Sequence, residues 1–456
     1  MTEADHLIQN YENDNITRVK LGFTDIDGVL RGKYISLDKF RSIAAGTSGF
    51  CDCVLGWDVD DQLYDNAGFT GWHTAFPDAL YRVDFSTERR LVDENNIPFF
   101  LVDFVGDGTD AHPICPRTRL KQVLRMAEEM GYHPRLAFEY EFFIFRETAQ
   151  TARDKNYQDL VPLSPGNFGY SVLRTLTLSD LFNEFMDYCA AHDFALEGLH
   201  CETGPGVWEG AISVDDALLA ADKAVLFKTF AKAFFQKRDM IATFMAKWSM
   251  DYPGQSGHVH QSLNAVNTEQ NLFFDENAPD RMSDTMRYYV GGLQTHMKDF
   301  LAMTSPTINS YTRLVKGAWA PTAATWGYEN RTAALRVIAG SAKAQRVEFR
   351  VGSADANPYL VAAANIAAGI DGIRRKLEPG DPVTGNAYEL QDELPEAWQL
   401  CGNLRDATRV FSQSSVAKDF LGNAFVDHFA ASRDWEVREY ERNVNDWQLK
   451  RYFEII

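Results

Sequence analysis

Three short segments of this chain place two ionisable side chains at spacing i, i+2 in strand-like runs. They are Glu139 and Glu141 in FEYEFFIF, His258 and His260 in SGHVHQSL, and Glu348 and Arg350 in RVEFRVG. Side chains alternate faces along a β-strand, so each pair points to one side of a sheet. Buried charge is costly unless it is paired or bound to a metal. Three such pairs, far apart in sequence, predict one lined cavity that holds cations and anions together, as metal-dependent phosphoryl transfer requires.

Composition narrows the partners. The formal charge of −19 argues against a general nucleic-acid binder or a protein that docks on anionic membranes. An anionic substrate must then be met by locally clustered cations. Arg313, Lys316, Arg331, Arg336, Lys343, Arg346 and Arg350 supply such a cluster, set among small apolar residues as in WAPTAAT and AALRVIAGSA. The six cysteines form no CxxC pair and read as reduced intracellular thiols. The N-terminus is polar and acidic, unlike a signal peptide, and no apolar run approaches the ~20 residues of a membrane span. A cytoplasmic protein is expected.

The coarse order of elements is α+β. ITRVKLGFTDI, Asp27-Gly28 and VLRGKYISL predict a hairpin, followed by a short helix ending at Gly46. Residues 47–78 read as irregular and IPFFLVDFV at 97–105 as a buried strand. A small β-rich domain is expected over 1–112 and a large one over 113–456. In the second, helices are expected at 117–130, stopped by Gly131, at about 214–238 and 283–303, and after Asn357-Pro358. PRLAFEYEFFIF at 134–145 reads as a long strand, and 148–170 and 376–396 as loops. The segment LEGLHCETGPGVWEG carries Glu197, His200, Glu202 and Glu209, and its Gly-Pro-Gly turn can fold Glu209 back beside Glu202.

In this order, FEYEFF, HCETGPGVWE, SGHVHQSL, NSYTRLVKGAWAP, ENRTAALR and KAQRVEFRVGSADANPYL resemble the motifs of the glutamine synthetase family. The resemblance covers the chain from about residue 16 onward. It implies that family's fold: a small β-grasp-like N-terminal domain, and a large catalytic domain whose antiparallel sheet lines the active site. By position, Glu141, Glu202 and Glu209 match the ligands of a first divalent metal, and Glu139, His258 and Glu348 those of a second. His260, Ser262, Lys343, Arg346 and Glu197 match nucleotide-side positions. Arg313 and Arg350 match the arginines that hold the acid substrate, and Arg331 and Arg336 the phosphate-facing arginines. The implied cofactors are Mg²⁺ or Mn²⁺, two or three per site, with ATP as co-substrate. The implied partners are glutamate, an amine, and further copies of the chain. The family's usual assembly is two stacked hexameric rings with sites shared between subunits.

Several positions depart from the glutamine-forming enzymes. Where those carry a Glu that binds and deprotonates ammonium, two residues before the Pro of the Arg-Leu-Val loop, this chain has Trp319. Indole can pack on an alkyl or aromatic amine and stack on a cation, but accepts no proton. Pro253 replaces an Asn that contacts glutamate, Gly254 is kept, and Val207 replaces a Gln. Asp52 or Asp58 stands in for the N-terminal latch, and either, or Glu209, is expected to take the amine's proton. Tyr388 lies near the loop that some relatives adenylylate, but GNAYELQDELP matches that loop poorly, so no such control is expected. These departures resemble the branch that joins glutamate to polyamines, alkylamines, ethanolamine or anilines. The competing expectations are a true glutamine synthetase and, more remotely, an inactive structural relative.

Overall fold

The computed structural model describes residues 3–106 and 111–456. Met1, Thr2 and residues 107–110, within the expected first domain, lie outside the described residues.

Six strands form the first sheet: β1 (Arg18–Thr24), β2 (Leu30–Ser36), β3 (Ser48–Cys51), β4 (Asp78–Val83), β5 (Arg89–Leu91) and β6 (Ile97–Phe104). They run in the order β2-β1-β6-β4-β3, with β5 also on β6. The β1–β2 hairpin turns at Asp27-Gly28, where Gly28 has φ +82°, a conformation costly for residues with a Cβ. Ser36 then caps the helix Leu37–Ile43 by accepting the Lys39 N–H at 3.2 Å. β3 lies inside the stretch expected to be irregular. It is four residues long, too short to carry a readable alternation, and is held by antiparallel pairing to β4.

β6 links two cores. Phe100, Val102 and Phe104 pack with Tyr11, Phe23 and Phe40, whereas Phe99 and Leu101 join the main core. The period of two thus sends one strand's side chains into both.

The second sheet contains β7 (Tyr132–Phe145), β8 (Leu196–Cys201), β9 (Val207–Ile212), β10 (Asp215–Asp216), β11 (Ile241–Thr243), β12 (Gly257–Ala265), β13 (Trp326–Tyr328), β14 (Leu335–Ile338) and β15 (Arg346–Phe349). Its order is β13-β14-β15-β12-β7-β9-β8, with β10 and β11 also on β7. All pairings are antiparallel except β13–β14. On β7, Leu136, Phe138, Tyr140 and Phe142 are buried on one face, and Tyr140 and Phe142 lie against Phe227 of the helix Ala217–Gln236. On the other face Glu139 and Glu141 are half-buried, and Phe143 and Phe145 close the strand's end against Trp248.

The helix expected at 283–303 is two pieces, Asp284–His296 and Leu301–Thr304. The chain turns between them, where the His296 ring is held between Asp371 (2.8 Å) and Asp299 (3.0 Å). The expected loops at 148–170 and 376–396 contain short capped helices, Ala149–Asp154 and Ala387–Leu390. Asn357 caps the helix Pro358–Arg375 and donates to the carbonyls of Asp25 (3.2 Å) and Ile26 (3.3 Å), tying the hairpin turn to the second sheet's helices. Among the described residues, no helix is long and apolar enough to cross a membrane.

A buried ionic hub joins the two sheets. Arg117 grips Asp222 with two hydrogen bonds of 2.8 Å and reaches Asp103 (2.7 Å) and Asp84 (2.9 Å) with Nη1. The Tyr359 hydroxyl donates to Asp222 at 2.6 Å. Removing one partner of such a network strands a buried charge. Asp222→Ala is expected to cost about 3–5 kcal/mol, seen as a lower urea midpoint; an unchanged midpoint would show that the hub is dispensable.

Candidate active site

Cross-strand register assembles the site. Across β14, β15, β12, β7, β9 and β8, Arg336 lies opposite Glu348 and Glu348 opposite His260. His258 lies opposite Glu139, Glu141 opposite Glu209, and Glu209 opposite His200. Since each i, i+2 pair keeps one face, the three sequence pairs point into one groove.

The ligating atoms fall into two groups. Those of Glu139, His260 and Glu348 lie within 4.8 Å of one another, as do those of His200, Glu202 and Glu209. His258 sits at the edge of the first group, with Nδ1 3.5 Å from Glu348 and 3.8 Å from Glu139. Its Nε2 is buried without a hydrogen-bond partner. Glu141 lies opposite Glu209, but its carboxylate accepts the Ser256 N–H at 2.5 Å and falls outside the second group. The structure thus gathers Glu139, Glu348, His258 and His260 at one end of the groove, with His260 nearer Glu139 (3.2 Å) and His258 nearer Glu348 (3.5 Å), and Glu202, Glu209 and His200 at the other. Sequence reading quoted His200 and gave it no role. Yet His200 and Glu202 are themselves an i, i+2 pair, and Nε2 is 3.0 Å from the Glu202 carboxylate. Tyr170, also missed, stacks on the His200 ring with centroids 4.5 Å apart.

The electrostatics favour bound cations. Burial, and then the charges of Glu139, Glu141, Glu202 and Glu348, push the Glu209 carboxyl up to about 10. A divalent cation would relieve that crowding. Despite their burial, His258 and His260 hold Glu139 well below the usual carboxylate range, and Glu348 is lowered by His258 and Arg350 and Glu202 by His200. Carboxylates supplemented by imidazole fit a hard divalent ion such as Mg²⁺ or Mn²⁺.

Arginines form the opposite wall. Arg350 Nη1 bonds Glu348. Arg336 reaches Glu348 (3.1 Å) and also Glu329 (2.5 Å), a residue that sequence reading did not single out. Arg346 Nε donates to His260 Nδ1 at 3.2 Å. Arg313 is buried, donates to the carbonyls of Val351 (2.9 Å) and Arg350 (3.2 Å), and is pulled down by burial to about 10. A Cβ on Gly254 would stand 2.6 Å from Arg313 Cγ and 2.8 Å from the Ala246 carbonyl, so only glycine fits there.

Glu197, Arg331 and Lys343 are exposed, and Ser262 is half-buried on β12 two residues beyond His260. Among the described residues, no hydrogen bond or ion pair joins these four to the carboxylate groups. Trp319 is 64% exposed at φ +59°, on a loop whose Lys316 pairs with Asp392 at 2.7 Å. Asp52 accepts the Thr70 hydroxyl at 2.8 Å, and Asp58 accepts the Trp435 indole N–H at 2.9 Å, so both carboxylates are engaged within their own chain.

With Arg313 and Gly254 at the acid substrate, as the family resemblance implies, Gly254→Ala is expected to raise KM for that acid about tenfold by displacing Arg313, an overpacking cost of roughly 1–3 kcal/mol. Initial rates at saturating ATP check this, and an unchanged KM would separate Gly254 from the acid pocket.

Known proteins share this arrangement. Residues 113–452 match the glutamine synthetase catalytic domain. Type-1 glutamine synthetase 2 of Dictyostelium discoideum is 44% identical, over 100% of this chain and 87% of its own. The glutamate–isopropylamine ligase of a Pseudomonas species is 36% identical, over 98% and 96%. The gamma-glutamylethanolamide synthetase GlnA4 of Streptomyces coelicolor is 34% identical, over 96% and 93%. The solved structure of ligand-free GmaS superposes with a TM-score of 0.84 at 27% identity, covering 98% of this chain and 99% of that one. With facing carboxylates, histidines and arginines set by strand register, and relatives matching along nearly the whole chain, the protein has the glutamine synthetase fold and belongs to the glutamine synthetase family.

Proposed function

We propose that this chain is an ATP-dependent ligase that joins glutamate to an amine other than ammonia through a γ-glutamyl phosphate. Family membership carries the coarser part: a carbon–nitrogen ligase of a family that uses ATP, a divalent metal, glutamate, and an amine or ammonia. The finer part rests on Trp319, an exposed indole where an ammonium-binding carboxylate would stand. Two relatives at 36% and 34% identity are named for organic amines, which supports the same reading.

We assign the roles by motif position. Arg313 and Arg350, with Gly254 leaving room, hold the acid. Arg331 and Arg336 face the phosphoryl group, and His260, Ser262, Lys343, Arg346 and Glu197 face the nucleotide. Glu141, Glu202 and Glu209 with His200, and Glu139, His258 and Glu348 with His260, would hold two divalent ions. When bound, such ions neutralise the charge of the transferring phosphoryl group. The groove must exclude water during turnover, or the acyl phosphate hydrolyses.

The amine must lose a proton before it attacks. With the lysine side chain, pKa about 10.4, as a model, the neutral form costs roughly 4–5 kcal/mol at pH 7. Asp52 and Asp58 are engaged elsewhere in their own chain, so we assign the proton acceptor to Glu209. Trp319 packs on the amine's carbon skeleton. The same reading places the protein in the cytoplasm, with domains 1–112 and 113–456, as a homo-oligomer of two hexameric rings.

A second reading, glutamine synthetase, is favoured by the relative at 44% identity. Phosphate release with glutamate, ATP and Mg²⁺ across ammonium, alkylamines, ethanolamine, polyamines and aniline separates the two. An organic amine is expected to dominate; strong turnover with ammonium alone would reverse the assignment. Trp319→Glu is expected to shift the ratio of kcat/KM values toward ammonium about tenfold or more, and an unmoved ratio would remove Trp319 from the amine site. Chelation by EDTA is expected to abolish phosphate release and added Mg²⁺ to restore it; turnover that survives chelation would sink the two-ion assignment.

A further inference from the structure

The Arg313 guanidinium is a buried cation without a counterion. It donates to the main-chain carbonyls of Val351 and Arg350, and among the described residues no carboxylate pairs with it. A guanidinium grips a carboxylate through directional bonds, so its aim sets how well an acid is held. Yet Arg313 is carried on a single helical turn, Ser310–Arg313. An isolated turn fixes more backbone than its hydrogen bonds repay, so neighbours must hold it in place.

Asp355 supplies such a hold. Its half-buried carboxylate accepts the Thr307 hydroxyl at 2.7 Å and the Ser310 hydroxyl at 3.0 Å, both on Oδ2. Thr307 and Ser310 also bond reciprocally, each hydroxyl oxygen accepting the other's backbone N–H at 3.1 Å. The carboxylate thus closes the N-terminal end of the turn. Asp355 is fixed in its own place: Lys228, on the helix Ala217–Gln236, donates to the Ala356 carbonyl at 2.9 Å, and the Ser353 N–H donates to the Thr304 carbonyl at 3.0 Å. Residues 350–356 therefore meet the Arg313 segment twice. The carbonyls of Arg350 and Val351 take the guanidinium, and Asp355 takes the start of the turn. Burial lowers the Arg313 pKa, and the charges of Glu141 and Asp355 act against that fall.

We propose that Asp355 is a positioning residue for Arg313: by holding Thr307 and Ser310 it sets the turn that aims the guanidinium at the acid substrate. The inference rests on the glutamate reading of the same site, in which Arg313 receives a carboxylate. A carboxylate paired directly with Arg313 would compete with that substrate. Asp355 instead grips hydroxyls at the turn's start, and so steadies the arginine without occupying it. The Thr307 and Ser310 hydroxyl oxygens lie 3.0 Å apart, so without Asp355 they can still bond each other, and the turn persists with its aim relaxed.

The test varies glutamate at saturating ATP, with the best acceptor among ammonium and the organic amines. Asp355→Ala is expected to raise KM for glutamate about tenfold, the effect of losing hydrogen bonds to a charged group. Its kcat and its KM for ATP should stay within about twofold, as when uniform binding alone is lost. Asp355→Asn, which keeps an acceptor oxygen, should return KM to within about threefold of the parent. Removing the donors instead, in Thr307→Val with Ser310→Ala, should give the same rise as Asp355→Ala, and combining all three should raise KM no further. The glutamate-induced rise in melting temperature, measured with an ATP analogue bound, is expected to shrink in the same variants. An unchanged KM for glutamate, an equal rise in KM for ATP, or a triple variant that compounds the two losses would overturn the proposal. Should Asp355→Ala fail to fold, the donor pair, which leaves the carboxylate in place, decides by the same KM criterion. A parent enzyme that turns over no glutamate with any acceptor would instead sink the ligase reading, and this inference with it.

Discussion

The antiparallel register of β12 against both β7 and β15 is the constraint on which the rest depends. It sets His258 opposite Glu139 and His260 opposite Glu348. A slip of one residue would turn every one of these side chains to the far side of the sheet. There they would meet the aromatic layer of Phe138, Tyr140 and Phe142, where neither charge nor metal can be accommodated. The aromatic face thus enforces the register that builds the polar one, and the hydrophobic core and the chemistry specify each other.

The site concentrates charge that folding alone would disfavour. Glu209 illustrates the tension: buried among four other carboxylates, it holds its proton far above the usual range in the absence of a cation. The histidines and arginines on neighbouring strands offset Glu139, Glu202 and Glu348, whereas the largest influences on Glu209 all raise it. That imbalance gives a divalent ion a thermodynamic reason to bind. Scaffold and site meet again at Arg117, whose four hydrogen bonds to three aspartates fix the first sheet against the helices behind the second.

Two kinds of segment divide the labour. The strands carry Glu139, Glu141, His200, Glu209, His258, His260 and Glu348 with Arg336 and Arg346, held by ladder hydrogen bonds. The loop bearing Trp319 and the segment bearing Tyr388 are joined by Lys316–Asp392 and Thr322–Gln391.

The hairpin at Asp27-Gly28, the long strand β7, the capped helix after Asn357 and the three ionisable pairs were legible in the sequence, because each depends on a period or a local hydrogen bond spanning only a few residues. β3, the break after His296 and the short helices at Ala149–Asp154 and Ala387–Leu390 were not, since they are brief and held by partners far along the chain. Among the residues the family motifs named, the fold sets Glu139 beside Glu348 and Glu202 beside Glu209. Only the fold brought His260 and His200 into the carboxylate groups, drew Glu141 toward the Ser256 N–H, and engaged Asp58 with Trp435. Local sequence thus determines which face a side chain takes, because the strand period is a property of the backbone. Which atoms then come within bonding distance depends on packing between segments over a hundred residues apart, and that only the tertiary structure decides.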